Sequence, residues 1–205
     1  FKMANGGYND NSVTPEVWRN GIKAGDIFRV KASATEGFEG DRYFILSYPT
    51  NGWPETGMTK TETATGFDFV VAETNVSELI ANGAVINQAG YTITQVELLE
   101  GYAVNIDASI TNGTVTVDKA TAAEGDEVTI TATPNDGYKV KSITVTDAED
   151  QAVTVTNNKF KMPAKAVTVS AKFNQSVDVT ISPASGDISE ALNAAIAELG
   201  ENDPK

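Results

Sequence analysis

VNIDASITNGTVTV (104–117), EVTITATPNDGYKV (127–140), SITVTDAED (142–150), AVTVTNNKFKMP (152–163) and AVTVSAKF (166–173) decide the fold. Each piece alternates apolar and polar residues with period two and stops at a turn signal, the pattern of half-buried antiparallel strands. Val104, Ile106, Ala108 and Ile110 are expected on one face, and Asn112-Gly113 is the best two-residue hairpin signal in the chain. Val115 and Val117 then return, and Val128, Ile130 and Ala132 line the next strand with Thr129, Thr131 and Thr133 outside. Pro134-Asn135-Asp136-Gly137 is a turn by mechanism: Pro presets φ, Asn and Asp bond their own backbone, and Gly accepts positive φ. Tyr138 and Val140 should point inward, and Ile143 and Val145 resume after a one-residue slip at Ser142. Asp147 to Asp150 reads as an acidic hairpin tip, and the apolar positions from Val153 to Phe173 complete one core.

ITNGTVTV, EGDEVTITATPNDGY, FKMP and VTVSAKF closely resemble the divergent InlB-B-type bacterial repeat, a small extracellular module found in tandem in surface proteins. The resemblance implies a compact β-rich fold, β-grasp-like or a small sandwich, used as spacer or adhesion module. A single copy is present, so no solenoid is implied.

Upstream, Gly25-Asp26 turns the chain into Ile27–Ala32, with Phe28, Val30 and Ala32 toward a core and Arg29 and Lys31 in water. Tyr43–Tyr48 is apolar in both phases: either both faces are buried or the outer one shows aromatics to a ligand. Phe67, Phe69 and Val71 alternate in the next strand. Asn75-Val76-Ser77-Glu78 offers a capping box for a short helix that buries Leu79 and Ile80 and ends at Gly83. Ala84-Val85-Ile86 and Tyr91–Leu98 read as a closing hairpin around Ala89-Gly90, with a bulge where the phase slips between Ile93 and Val96. GIKAGDIFRV, FDFVV and SELIANGAVINQAGYTITQVEL together resemble β-sandwich modules of secreted carbohydrate-active proteins from Bacteroidetes-type bacteria. That resemblance implies a glycan-binding module, which usually starts with one further strand; here that strand would precede Phe1.

Downstream, Asn174-Gln175-Ser176 reads as a linker and Val177–Ile181 as a strand. Ile188, Leu192, Ala195, Ile196 and Leu199 recur at helical spacing. ISPASGDISEALNAAIAEL resembles the helix that caps the start of right-handed parallel β-helix domains. The expected organisation is therefore all-β. It comprises a jelly-roll-like sandwich over 1–102, whole or lacking an edge, a repeat module over 103–173, and a strand plus helix over 174–205 that opens a further domain.

Among 205 residues there are no cysteines and no histidines, which removes thiol nucleophiles, disulfides, Ser-His-Asp triads and ordinary zinc sites. The net charge of −13 repels polyanions such as nucleic acid and anionic membrane surfaces, and no apolar run approaches spanning length, so neither nucleic-acid binding nor membrane insertion is expected. An extracellular or cell-surface monomer fits the composition.

The ligand-binding candidates are Trp18, Tyr43, Tyr48 and Trp53, because flat aromatic rings stack on the C–H face of a pyranose. The other reading of these rings is core or loop anchoring. Asn9, Asp10, Asn11 and Glu16 gather oxygen donors in one loop and form a calcium candidate, without completing an EF-hand spacing. No other cofactor is implied. Glu36, Glu39 and Asp41, and Asp147, Glu149 and Asp150, are the acid clusters. They read as solvated turn acids, since no apolar run adjoins them to raise a carboxyl pKa. Three functions remain open: a non-catalytic region that binds polysaccharide or surface glycan, a structural stalk with protein partners, and an accessory region of a lyase or hydrolase whose catalytic domain lies beyond Lys205.

Overall fold

The chain is all-β and sandwich-like; the computed structural model describes residues 12–13, 21–176 and 193. It forms two compact units, one of Phe1–Ala103, Thr121–Asp126 and Met162–Lys165, the other of Val104–Ala120, Glu127–Lys161 and Ala166–Lys205.

In the first unit, β1 (Ser12–Val13), β3 (Tyr43–Ser47) and β6 (Ala84–Ala89) form an antiparallel sheet of order β1-β6-β3. A second antiparallel sheet holds β2 (Ile27–Ala34), β4 (Thr59–Thr63), β5 (Gly66–Val70) and β7 (Tyr91–Leu99) in the order β4-β5-β2-β7. Alternation drives the packing: Phe28, Val30, Phe67 and Phe69 from one sheet meet Phe44, Leu46 and Ile86 from the other in one buried cluster. Phe44 stacks on Phe67 at 4.5 Å between ring centroids, and Tyr91 meets both rings edge-on at 5.8 and 5.2 Å. These offset and T-shaped contacts are the favoured aromatic geometries.

The expected hairpin of Ala84–Ile86 with Tyr91–Leu98 does not form. β6 and β7 belong to different sheets, and the chain crosses between them at Gly90, whose φ is 76°. A Cβ there would lie 2.6–2.7 Å from the Arg42 and Phe38 side chains, so the crossing requires glycine twice over. Alternation tells which face of a strand is buried; it does not tell which strand lies beside it. The bulge between Ile93 and Val96 is present. Lys31 pairs with Gln95 and Ala32 with Ile93, so Thr94 is the extra residue, its hydroxyl donating to Lys31 O at 3.3 Å.

Helix α1 runs over Glu73–Asn82 and is entered from Ala72, three residues earlier than the expected cap. Asn75 is therefore inside the first turn. Its Oδ1 accepts from Ala72 N–H at 2.9 Å, half of a capping box, while Glu78 accepts from Asn82 Nδ2 rather than reaching back. Leu79 is fully buried and Ile80 packs at the margin of the core. Gly83 closes the helix by donating to Leu79 O at 2.8 Å.

The chain passes from one unit to the other inside β8 (Gly101–Ile106). Within the first unit, the opening residues of β8 pair with β10 (Thr121–Ala123). In the second unit, β9 (Gly113–Val117), β11 (Glu127–Pro134) and β14 (Lys159–Lys161) form a sheet of order β14-β11-β9. β12 (Tyr138–Asp147) lies between β13 (Ala152–Val153) and β15 (Val167–Gln175), and β15 pairs in parallel with the end of β8. Val115, Val128, Ile130, Val145, Phe160, Val167, Val169 and Phe173 are buried as the alternation requires. The slip at Ser142 is a bulge, with Lys141 as the extra residue between the pairs Val140–Phe173 and Ser142–Lys172.

Four expectations are corrected here. Asn112-Gly113 is not a hairpin turn, because β8 and β9 lie in different sheets; Asn112 takes a left-handed corner at φ 63°. Gly113 is needed for space, since a Cβ would stand 2.5 Å from the Phe173 ring. β8 stops at Ile106, which is 42% exposed, and Ala108 is exposed beyond it. Val140 is 39% exposed, and Asn174 and Gln175 continue β15 instead of forming a linker. The strand over 177–181 and the calcium loop lie outside the described residues, as does the helix of 187–199 apart from Asn193.

Candidate functional site

The loop after β3 is built to project one ring. Tyr48 N–H donates to Pro54 O at 2.9 Å, Thr56 N–H donates to Leu46 O at 2.8 Å, and Ser47 bridges Glu55. Inside that neck, Trp53 N–H closes a turn onto Thr50 O at 3.0 Å. Trp53 is held at φ 51° and is 56% exposed. A bulky residue in the left-handed region costs about 1–3 kcal/mol and persists only where its surroundings impose it.

Tyr48 does not join it. It is 9% exposed in the core cluster, and its hydroxyl accepts from Asn75 Nδ2 at 2.9 Å. Asn75 Nδ2 also donates to Thr56 O at 2.7 Å, so one buried amide ties helix α1 to both ends of the Trp53 loop. Tyr48 is an anchor of the loop and not a face for a ligand: it follows Phe44 and Leu46 in the inward phase. Burial pushes its phenol above the ordinary value; the Asn75 bond opposes this, and the charge of Glu78 adds to it. Tyr43 is 50% exposed on the outward phase of β3. It starts the strand whose far end leads to Trp53, and a rise of about 3.4 Å per residue puts the two ends about 14 Å apart. The structure thus keeps two of the aromatic candidates in water, at opposite ends of one strand. Trp18 lies outside the described residues, as do Asn9, Asp10, Asn11 and Glu16.

Glu36, Glu39 and Asp41 are exposed. In the other cluster, Asp147 Oδ1 accepts from Glu149 N–H at 3.0 Å and Gln151 N–H at 2.9 Å, which closes the tip between β12 and β13. The described residues contain no group of three or more acids arranged to hold a metal ion. The pair of carboxylates that does converge was missed from sequence. Arg29, expected in water, has a side chain only 19% exposed and forks onto Asp68 and Asp126. Nε and Nη2 donate to Asp68 at 2.8 and 2.7 Å, and Nη1 and Nη2 donate to Asp126 at 3.0 and 2.7 Å. The Asp68 bonds hold the guanidinium charge most strongly, against the cost of burial, with Asp126 adding to them. Both acids spend their charge on the arginine, which makes this a clamp inside the first unit rather than an acid–base pair. The signal available was FDF: an aspartate between two core phenylalanines, and an arginine in the strand that pairs with it.

Two compact β units with solvated acids and a presented indole define a modular β protein. Residues 102–177 match the family model of the divergent InlB B-repeat domain. This stretch is a bacterial repeat-type module, of a kind typical of surface proteins. No curated protein and no solved structure matches the chain. No helix among the described residues is long and apolar enough to cross a membrane.

Proposed function

We propose that this chain is a non-catalytic region of a secreted or cell-surface modular bacterial protein, in which the first unit binds glycan and the repeat acts as spacer. The observation that carries this reading is Trp53: exposed, strained, and fixed from both sides by the Tyr48–Pro54 neck and the Asn75 amide. A ring held in this way loses little conformational freedom when a sugar stacks on it, which is how a small contact gives useful affinity. Tyr43 supplies a separate contact further along the same strand. Binding to a glycan array, followed by calorimetry on the strongest hit, tests the proposal. Trp53→Ala is expected to weaken the hit by about tenfold to a hundredfold, with unfolding still cooperative. A blank array rejects it. A second reading, a stalk that meets proteins, draws on Ile106 and Val140, the exposed aliphatic side chains of the repeat.

A further inference from the structure

The binding reading says that a sugar is held; the charges say which kind. Between residues 21 and 103 the chain has five cations: Lys23, Arg29, Lys31, Arg42 and Lys60. Each is already engaged. Lys23 Nζ donates to Glu100 at 2.7 Å and pairs with Asp26 at 3.2 Å, and Arg29 is divided between Asp68 and Asp126. Lys31 donates to Gln95 at 2.9 Å and faces Glu97 at 3.7 Å. Arg42 donates to Gly90 O and Thr35 O and lies over the Phe38 ring, 5.8 Å from its centroid. Lys60 donates to Phe44 O at 2.9 Å and lies 5.8 Å over Phe67. Recognition of a uronate or a sulfate needs a guanidinium or ammonium free to pair with it. Taking one of these five would first break a hydrogen bond or ion pair that it already makes. The ring itself has an acidic neighbour, Glu55, exposed two residues away, on a chain of net charge −13.

We propose that the Trp53 loop selects uncharged glycans, built of pyranoses that offer a face of axial C–H groups, and excludes uronate-rich or sulfated ones. This rests on the reading of Trp53 as a sugar contact. The face requirement follows from the ring, which has no hydrogen-bonding reach beyond its edge N–H. The exclusion follows from repulsion with no uncommitted cation among the described residues 21–103 to offset it, so it should weaken as salt screens the field.

Titration calorimetry of the whole chain tests it, with neutral hexasaccharides of glucose, xylose and N-acetylglucosamine set against hexagalacturonate and a chondroitin sulfate hexasaccharide, at low and at high salt. At least one neutral probe is expected to bind, with both anionic probes at least about tenfold weaker at low salt, a gap that closes partly at high salt. Trp53→Ala should weaken neutral binding by about tenfold to a hundredfold, and Glu55→Gln should narrow the gap while leaving neutral binding in place. An anionic probe that binds as well as the neutral ones overturns the selectivity and leaves the sugar reading standing. No binding to any probe overturns both. Neutral binding that Trp53→Ala leaves unchanged overturns the assignment to this loop.

Discussion

At the residue scale, two side chains five positions apart show how phase divides structural from contact roles. Tyr48 and Trp53 are both large aromatics beside the same loop, and sequence placed both among the ligand candidates. The backbone separates them: Tyr48 follows the inward phase of β3, while Trp53 sits beyond the turn with its φ in the left-handed region. Trp53→Asn is expected to be more stable than Trp53→Ala by about 0.5–1 kcal/mol, because asparagine tolerates that conformation. Chemical denaturation of the two variants measures the difference. Tyr48→Phe keeps the ring but leaves one Asn75 Nδ2 proton without its acceptor, a loss of about 1–2 kcal/mol. The phenol has a pKa raised in the fold, so its contribution is whole below the ordinary tyrosine value near 10. It is lost as pH climbs through the folded value. The stability of the native chain should therefore fall off in alkali, and that limb should be shallower in Tyr48→Phe. Equal limbs in both proteins would sink this account.

At the element scale, strand existence was legible and strand partnership was not. β2, β5, β11 and β15 could be read from alternation alone, and both bulges from phase slips, because burial on one face fixes the side-chain period whatever lies beside the strand. Asn112-Gly113 and Ala89-Gly90 carried the right turn chemistry and the wrong consequence. Each turns a corner between sheets, since the strand before and the strand after have separate faces to bury. The end of β8 shows what closes such a corner. Asp107 N–H donates to Val169 O, and the Asp107 carboxylate accepts from Ser109 N–H at 2.8 Å, Ser109 Oγ at 2.7 Å and Ser170 Oγ at 2.9 Å. The backbone bond from Ser109, then its hydroxyl, then Ser170, hold the carboxyl below its usual range. A depressed carboxyl contributes stability above its unfolded pKa, near 3.9, and gives it up as pH falls through the lower folded value. Asp107→Asn is thus expected to flatten the acid limb of thermal stability below about pH 4, and an unchanged limb would count against the role given to this side chain.

At the scale of the whole molecule, the Arg29 clamp joins residues distant in sequence within the first unit. Asp68 is 39 positions away and Asp126 is 97. Removing one partner of a buried ion group costs more than the group contributes, because the charges left behind have no counterpart. Arg29→Met should destabilise the first unit by about 3–5 kcal/mol, and adding Asp68→Asn with Asp126→Asn should recover part of it. Urea unfolding of the three proteins checks the order, and a neutral Arg29→Met would show that water carries those charges. Sequence by itself determined that this chain is all-β, which residues face inward, where strands slip, and that thiol and imidazole chemistry are absent. It also identified the repeat, since its turn residues and apolar spacing are local and survive reading one residue after another. Tertiary structure alone decided which strands share a sheet, that Arg29 is buried between Asp68 and Asp126, and that Tyr48 is core while Trp53 stands in water. Those outcomes depend on what a residue meets across space, and a period-two pattern carries no record of the partner that fills the other side.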